Sequence, residues 1–281
     1  MKSVVVTGVS TGIGWGVTKI LIAKGFRVFG SVRQAADAER LTREFGDRFQ
    51  PLIFDVTDEA AVAAAAQTVR TALEGQSLAG LVNNAGVAFP GPLLHIPITE
   101  FRQQIEVNLT GLLITTQAFA PLLAGAKGDP GRIVNISSVG GKNANPFLGP
   151  YCASKFAVEG LSESLRRELL LMGIDVIVVA PGAVATAIWG KAKPDDIEPY
   201  RKTLFYPALQ AVQAYMTATG AKGLPPEQLG QLVAKVLTIS KPKVRYTIAP
   251  NRLETWLTAN LPRRTVDRMI GSRLGLLPKQ T

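Results

Sequence analysis

Hydrophobic and polar positions alternate in blocks from the first residue to Ala180. Short apolar runs of strand length are separated by longer segments of helical length, which is the pattern of a parallel sheet covered by helices. We therefore predict an α/β fold, a doubly wound parallel sheet of about seven strands with helices on both faces. The strands are expected near residues 3–7, 26–32, 50–54, 79–83, 131–136, 174–180 and 244–248.

Three helices stand out from the pattern. The segment 60–73 is rich in strong helix formers behind a Thr57/Asp58 cap. The segments 101–123 and 151–172 are long enough to be a central pair. We expect this pair to cover the middle of the sheet.

The alternation stops after Pro181 and Gly182. A proline-rich excursion at about residues 183–224 precedes the next clear helix, and so long an excursion favours a binding lid over a connector. With 47% hydrophobic and 19% charged residues, the 281-residue chain can bury a large core. We predict a single domain over residues 1–281, with a basic C-terminal extension at about 250–281.

The positive charge is concentrated toward the C-terminus. From Lys241 onward, nine basic side chains stand against two acidic ones, which accounts for +7 of the formal net charge of +10. Such a segment, with Trp256 and Met269 among its apolar residues, could contact an anionic membrane surface, but a solvated helix face is the favoured interpretation. No recognition motif or aromatic and basic stripe accompanies the charge, so no nucleic acid is expected as a partner.

Targeting signals and membrane spans are not expected. No apolar run reaches the ~18 residues that a span needs without interruption by Gly, Pro or charge. Strand-like residues begin at Ser3, which leaves no space for a secretory signal before them. The single cysteine, Cys152, cannot form an internal disulfide, and a buried packing residue is favoured over a redox switch. We predict a cytoplasmic protein.

Three glycines follow the first predicted strand. Gly8, Gly12 and Gly14 lie where this strand turns sharply into a helix. Bare backbone lets a phosphate-sized ligand approach, and the helix N-terminus offers unpaired N–H groups to a pyrophosphate. Three residues separate the first two glycines, unlike the usual G-x-G-x-x-G, but the flanking strand and helix favour a dinucleotide site.

A tyrosine and a lysine four residues apart carry the clearest catalytic signal. In a helix, Tyr151 and Lys155 would lie on one face, where the ammonium would stabilise the phenolate and lower the pKa of the tyrosine. Such a phenol can exchange a proton with an alcohol or a carbonyl. The alternative is a surface pair on an ordinary amphipathic helix.

Together these motifs resemble the short-chain dehydrogenase/reductase family. The resemblance covers roughly residues 3–250 and implies a Rossmann-type fold with a nicotinamide dinucleotide. The segment that includes Ser138 and Tyr151 looks most like the branch of hydroxysteroid and retinol dehydrogenases, which is a less specific similarity. The motifs, in the family's order, are Thr7 to Gly14, Asn83-Asn84-Ala85-Gly86, Asn108, Ser138, the Tyr151/Lys155 pair and Pro181-Gly182.

The resemblance implies roles for four residues. Ser138 would hydrogen-bond the substrate oxygen, and the family's spacing of serine before tyrosine favours it over Ser137. Tyr151 would be the general acid in reduction and the general base in oxidation, while Lys155 would lower its pKa and hold the nicotinamide ribose. Asn108 would bend its helix and anchor a water that links Lys155 to solvent, unless it is a simple surface asparagine.

Cofactor contacts follow from the same resemblance. Asp55 looks like the family's adenine-contacting acid, although an isolated Asp is more often a helix cap. Arg33 stands where an NAD-dependent enzyme would place a carboxylate, so charge favours the 2′-phosphate of NADP(H), with NAD(H) as the alternative. The predicted contacts are Gly8, Ser10, Gly12, Ile13, Gly14, Arg33, Asp55, Val56, Asn84, Ala85, Gly86, Tyr151, Lys155, Pro181, Gly182, Val184 and Thr186.

The predicted substrate pocket is mostly apolar. Ser138, Tyr151, Phe147 and Leu148 are the expected substrate contacts. Apolar lid residues would complete the wall, unless the aromatic ones pack among themselves: Ile188, Trp189, Phe205, Tyr206, Tyr215 and Met216. Such a wall favours a hydrophobic ketone, aldehyde or alcohol. The sole histidine, His95, is expected on a loop surface, so a Ser/His/Asp hydrolase has little support, and no sensible cluster of metal ligands is found in the sequence.

Two functions are compatible with these motifs. The first is an NADP(H)-dependent alcohol dehydrogenase or carbonyl reductase, and the intact catalytic set favours it. The second is a non-catalytic NADP(H)-sensing regulator on the same scaffold. The long helices at 101–123 and 151–172 resemble those that pair between subunits in this family, which implies a homodimer or homotetramer.

Overall fold

The computed structural model describes residues 1–124, 131–185 and 194–278. Within these residues the strands form one seven-stranded parallel sheet in the order β3-β2-β1-β4-β5-β6-β7. The winding reverses between β1 and β4, which opens a crevice at the carboxyl ends of the strands. The strands are β1 Ser3–Val6, β2 Arg27–Val32, β3 Phe49–Ile53, β4 Leu78–Asn83, β5 Arg132–Ile136, β6 Asp175–Pro181 and β7 Arg245–Ile248.

Helices cover both faces of the sheet. Those in the described part of the chain are α1 Gly12–Ala23, α2 Ala35–Phe45, α3 Glu59–Ala72, α4 Ile98–Ile105, α5 Gly111–Phe119, α6 Gly149–Glu168, α7 Tyr206–Ala221, α8 Pro226–Thr238, α9 Arg252–Asn260 and α10 Arg263–Leu274. The predicted Rossmann-type α/β architecture is confirmed, and each predicted strand agrees with an observed one to within one residue at either end.

Alternate side chains of β1 enter different cores. Val4 and Val6 pack with α1 and α8 on one face, whereas Val5 packs with α3 and α5 on the other. Successive side chains of a strand point to opposite faces, so a strand covered on both sides must be apolar throughout. This explains why the continuous apolar runs in the sequence predict the strands so closely.

The helix predicted at 101–123 is interrupted. A π-helical turn, Glu106–Thr110, separates α4 from α5, and a 3₁₀ turn, Ala120–Leu122, follows α5. Asn108 lies inside the π turn and is buried, so the predicted distortion is found and the surface alternative for this residue is excluded. Such turns are frequent at functional sites.

Other predicted helix boundaries are close to those observed. Asp58 caps α3, because its Oδ1 accepts a hydrogen bond from the Ala61 N–H at 2.9 Å. The helix predicted at 151–172 begins two residues earlier as α6 and finishes in the 3₁₀ turn Leu169–Met172. Gly173, with a φ of +68°, then ends it.

The expectation that no clear helix lies between 183 and 224 is wrong. The helix α7 occupies Tyr206–Ala221 and buries Leu209 and Val212. Pro207 lies in the first turn of α7, where its missing N–H would be unpaired in any case, so it starts the helix instead of breaking it. The basic extension forms α9 and α10. Among the described residues, no helix is both long and apolar enough for a membrane span.

Candidate active site

The crevice at the switch point is a cavity of about 910 Å³, here called the first cavity. Residues of the glycine turn, the ends of β2, β3 and β4, and the start of α6 line it. Of the predicted cofactor contacts, fourteen line this cavity: Gly8, Ser10, Gly12, Ile13, Arg33, Asp55, Val56, Asn84, Ala85, Gly86, Tyr151, Lys155, Pro181 and Val184.

Close backbone contacts hold the glycine turn. Gly8 adopts a φ of +70°, and a Cβ added at this residue would lie 3.0 Å from the Ala85 Cα. A Cβ at Gly14 would lie 2.2 Å from the Gly8 carbonyl oxygen, so a larger residue there would displace the turn. The Asn84 side chain donates to the carbonyls of Thr7 and Gly8 at 2.9 and 3.0 Å. Gly14 therefore packs against the glycine turn but does not line the first cavity.

The outer end of the first cavity carries opposite charges. Arg33 is exposed at the end of β2, and Asp55 follows β3. The Asp55 carboxylate accepts hydrogen bonds from the N–H and the hydroxyl of Thr57 at 3.0 and 2.8 Å. Asp55 therefore orders the turn before α3, and the helix-cap alternative is excluded because Asp58 is the cap.

The inner end is formed by Tyr151 and Lys155 on the first two turns of α6. The Lys155 ammonium lies 5.8 Å from the centroid of the Tyr151 ring and donates to the Ile136 carbonyl at 2.8 Å. Lys155 is 5% exposed, so it is a buried cation anchored to the end of β5. The surface-pair alternative is excluded.

Burial governs the pKa values of this pair. It lowers the pKa of Lys155 to about 8, against an opposing effect of Glu159 one helical turn away. It raises the pKa of Tyr151, an effect that the Ser138 hydroxyl partly offsets. The predicted lowering of the Tyr151 pKa is therefore wrong for this structure, because desolvation of the phenolate outweighs its stabilisation.

Ser137 and Ser138 have different surroundings. The Ser137 hydroxyl donates to Glu159 Oε1 at 2.8 Å, whereas the Ser138 hydroxyl accepts from the Gly140 N–H at 3.0 Å and lies close enough to Tyr151 to lower the pKa of its phenol. Only Ser138 is therefore placed to share an oxygen ligand with the tyrosine. This geometry supports the choice of Ser138.

Asn108 joins three parts of the site. Its Oδ1 accepts from the Val87 N–H at 2.8 Å, and its Nδ2 donates to the Val87 carbonyl at 2.9 Å and to the Ser154 hydroxyl at 3.0 Å. Ser154 in turn donates to the Tyr151 carbonyl at 2.7 Å. The asparagine thus ties the loop after β4 to α6. The water that the family resemblance implies stays a prediction.

Tyr151 also lines a second cavity of about 650 Å³. Ser138, Leu148 and Gly182 contribute to its wall, together with residues of α7, β7, α9 and α10. Phe147 lines neither described cavity: it has a φ of +63° and packs in a cluster with α7, with its ring centroid 6.3 Å from that of Phe205. Substrate contact is therefore supported for Leu148 and unsupported for Phe147.

Some of the aromatic lid residues pack together, whereas one lines a cavity. Phe205 and Tyr206 pack in the cluster around Phe147, whereas Tyr215 lines the second cavity. Ile188 and Trp189, also expected in this wall, and the predicted cofactor contact Thr186 lie outside the described residues.

The remaining single residues agree with expectation where they are described. Cys152 is buried, as a packing residue should be, and burial raises the pKa of its thiol. His95 is exposed in a turn, with its ring centroid 5.8 Å from that of Phe205. The described residues contain no group of three or more side chains suited to a metal ion.

Some supporting residues escape the sequence reasoning. Glu159 receives hydrogen bonds from Ser137 and Arg245, and its position four residues after Lys155 was a usable signal. Gln104 accepts from the Phe89 N–H at 3.1 Å and fixes a loop of the first cavity. Arg40 donates to the Ser10 carbonyl at 2.7 Å, a contact that no local pattern indicates.

Comparison with known proteins identifies the family. A protein-family model described as short chain dehydrogenase matches residues 2–197. The chain belongs to the short-chain dehydrogenase/reductase family and is an oxidoreductase. An NADPH-dependent 3-dehydrocapnine reductase of Ornithobacterium rhinotracheale is 38% identical over 284 residues, covering 100% of both chains. Human retinol dehydrogenase 16 is 39% identical over 191 residues, which cover 68% of this chain and 60% of that protein.

Solved structures share the fold. A short-chain dehydrogenase from Streptomyces avermitilis has a TM-score of 0.75 and 25% identity, with 98% of this chain and 96% of that chain covered. A 3-ketoacyl-(acyl-carrier-protein) reductase from Brucella melitensis, complexed with NADH, has a TM-score of 0.74 and 25% identity, covering 89% and 98%. Each likeness therefore spans most of both chains.

Proposed function

We propose that this protein is an NADPH-dependent reductase of hydrophobic ketones or aldehydes, able to run in reverse as an alcohol dehydrogenase. One observation carries the proposal: Tyr151, with the Ser138 side chain beside it, lies in the wall shared by the two cavities. A proton donor at such a boundary can reach a substrate in one cavity while a redox cofactor occupies the other.

The first cavity fits a nicotinamide dinucleotide. It runs from Arg33 and Asp55 at one end, past the glycine turn and the N-terminus of α1, to Tyr151 and Lys155 at the other. The bare backbone and the free N–H groups of the first turn of α1 suit a pyrophosphate. Lys155 would hold the ribose near the tyrosine. The cofactor would supply a hydride to the substrate carbon.

The chain itself would handle the proton. Ser138 would hydrogen-bond the carbonyl oxygen of the substrate and align it with the Tyr151 hydroxyl, which would donate the proton in reduction and accept it in oxidation. Burial favours the neutral, proton-bearing phenol, since it raises the pKa of Tyr151. Reduction therefore starts from the protonation state that this site stabilises.

Two observations favour NADPH over NADH. Arg33 lines the first cavity beside Val32, where a 2′-phosphate would meet a cation. The relative that matches the full length of the chain is named as an NADPH-dependent reductase. That name also favours reduction as the working direction. We propose a hydrophobic substrate because Leu148, Val212 and Met216 line both cavities.

Tyr151→Phe tests the proposal. The purified variant should retain the Kd for NADPH, read by fluorescence titration, and should lose about 10²–10⁴-fold in turnover across a panel of apolar ketones and aldehydes. Tyr246→Phe is the matched control, because Tyr246 lies outside both described cavities. NADPH binding by the wild type without turnover of any carbonyl compound would instead support the nucleotide-sensing regulator.

Assembly and location stay predictions. The exposed rings of Phe101 on α4 and Phe156 on α6 are compatible with the homodimer or homotetramer that the family resemblance implies. Membrane contact through the basic extension, and a cytoplasmic location, also remain to be tested.

A further inference from the structure

A largely buried carboxylate connects the walls of the two cavities. Glu159 accepts a hydrogen bond from the Ser137 hydroxyl at 2.8 Å, and the Arg245 guanidinium donates to both of its oxygens, through Nε at 2.9 Å and Nη2 at 3.1 Å. Ser137 lines the first cavity and Arg245 lines the second, whereas Glu159 lines neither. The carboxylate therefore joins α6 to the chain after β5 and to β7.

This carboxylate is held in one place. Three donor groups reach it, and the remaining arm of Arg245, Nη1, donates to the Thr247 hydroxyl at 2.5 Å. Gly141 packs closely against the same cluster, because a Cβ added there would lie 2.7 Å from Ser137 Oγ and 3.2 Å from Glu159 Cγ. Glu159 is therefore a fixed negative charge with little access to solvent.

Lys155 precedes Glu159 by one turn of α6. Its ammonium is buried in the first cavity and donates to the Ile136 carbonyl, which is a neutral acceptor. Burial lowers the pKa of Lys155 to about 8, and Glu159 raises it against that effect. A fixed carboxylate one turn away thus opposes loss of the proton from the cation that would hold the ribose.

Other titratable groups surround Lys155 less directly. Arg245 contacts the Glu159 carboxylate itself, and the phenol of Tyr151 is neutral at neutral pH because burial raises its pKa. Of the charged groups around Lys155, Glu159 is the one that acts on its pKa. Further titratable side chains in the wall of the first cavity are Asp55, His95 and Glu100.

We propose that Glu159 is a positioning residue for the cofactor site, where its fixed carboxylate keeps Lys155 charged over the pH range in which the protein binds NADPH. The proposal rests on the proposed function, since it assigns Lys155 to the ribose. Glu159 would act only through Lys155. A charged donor binds a ribose oxygen more strongly than a neutral amine does, so loss of this charge would weaken cofactor binding. The alternative is a purely structural link between β7 and α6.

The pH dependence of NADPH binding separates these two roles. The Kd of the wild type, from fluorescence titration over about pH 7 to 9.5, should rise about tenfold as Lys155 loses its proton near pH 8. Glu159→Gln retains the size of the side chain and an oxygen for Ser137. Its Kd should begin to rise about one pH unit lower, because the opposing negative charge is gone.

Arg245→Gln breaks the same link from the other side. This variant removes a positive charge, so its Kd should begin to rise at the wild-type pH or above it. Glu163→Gln is the matched control, because Glu163 lies one turn further along α6 and pairs with the exposed Arg167. Its curve should follow that of the wild type.

A double variant covers the case in which Glu159→Gln fails to fold because Arg245 is left unpaired. Glu159→Gln/Arg245→Gln removes both charges, and its Kd should still begin to rise at a lower pH than that of Arg245→Gln. The difference between these two variants isolates the charge of Glu159.

Two results would overturn the proposal. One is the same pH dependence in the wild type and Glu159→Gln, whatever their melting temperatures, and the other is a shift of Glu159→Gln and Arg245→Gln in the same direction. Failure of the proposed function is distinguishable: the wild type would bind NADPH without turnover, which leaves this test intact, or would not bind it. In the second case urea unfolding without cofactor decides, because the stability of Glu159→Gln should begin to rise at a lower pH than that of the wild type, and coincident curves would refute the role of Glu159.

Discussion

Replacement of Lys155 by methionine should change how the stability of the protein depends on pH. Burial lowers the pKa of this ammonium from 10.5 to about 8. Between these two values the unfolded chain binds more protons than the folded chain, so the stability of the wild type rises with pH in this window. Well below pH 8 the buried charge is fully present and destabilises the folded state.

The magnitude follows from the two pKa values. At about pH 7 the destabilisation is about 3 kcal/mol, and by about pH 9.5 roughly 2 kcal/mol of it is relieved. Lys155→Met cannot show this rise, because methionine does not titrate. The variant also loses the 2.8 Å hydrogen bond to the Ile136 carbonyl, which costs about 1 kcal/mol at every pH and therefore shifts the curve without changing its slope.

Urea unfolding of both proteins from about pH 7 to pH 9.5 measures the effect. The difference in unfolding free energy between wild type and Lys155→Met should move by roughly 2 kcal/mol in favour of the wild type as the pH rises. Lys24→Met is the control, because Lys24 is exposed and its variant should follow the wild-type curve. A difference that stays constant over this range would refute the lowered pKa.

Two further substitutions test the first cavity. Arg33→Ala should raise the Kd for NADPH about tenfold and leave that for NADH nearly unchanged, with exposed Arg43→Ala as the control; equal losses for both cofactors would remove Arg33 from 2′-phosphate recognition. Gly14→Ala places a Cβ 2.2 Å from the Gly8 carbonyl, so the melting temperature should fall and the Kd for NADPH should rise at least tenfold. Gly160→Ala is the control, because a Cβ at this residue meets nothing within 4 Å and should leave the melting temperature unchanged or raise it. Normal NADPH binding by Gly14→Ala would contradict the close contact between Gly14 and the Gly8 carbonyl.

Periodic features of the fold could be predicted because they are local. The strands are buried on both faces, and the spacing of Tyr151 and Lys155 places them on one face of α6 whatever surrounds it. The failure to predict the helix α7 has a local cause too. Pro207 breaks a helix in its interior but is favoured in its first turn, and the sequence around it does not say which position it holds.

The electrostatics of the site could not be predicted in the same way. A helix pattern reveals that Lys155 neighbours Tyr151. It does not reveal that the Lys155 ammonium donates a hydrogen bond to the Ile136 carbonyl, or that the ammonium and the phenol are both desolvated. The prediction that Phe147 contacts the substrate is unsupported for a related reason. Its position beside the cavity was foreseeable, whereas its left-handed backbone and its packing against α7 depend on residues distant in sequence.

The different contacts of Ser137 and Ser138 follow from one feature of the backbone. After β5 the chain remains extended through Ser138, whose φ and ψ are −160° and 162°. Successive side chains of an extended segment point in opposite directions, so Ser137 meets Glu159 and the first cavity while Ser138 meets Tyr151 and the second. Their separation depends on register alone. A one-residue shift of this segment would turn each hydroxyl to the opposite side, which is why the spacing between the serine and the tyrosine matters more than the identity of the residues between them.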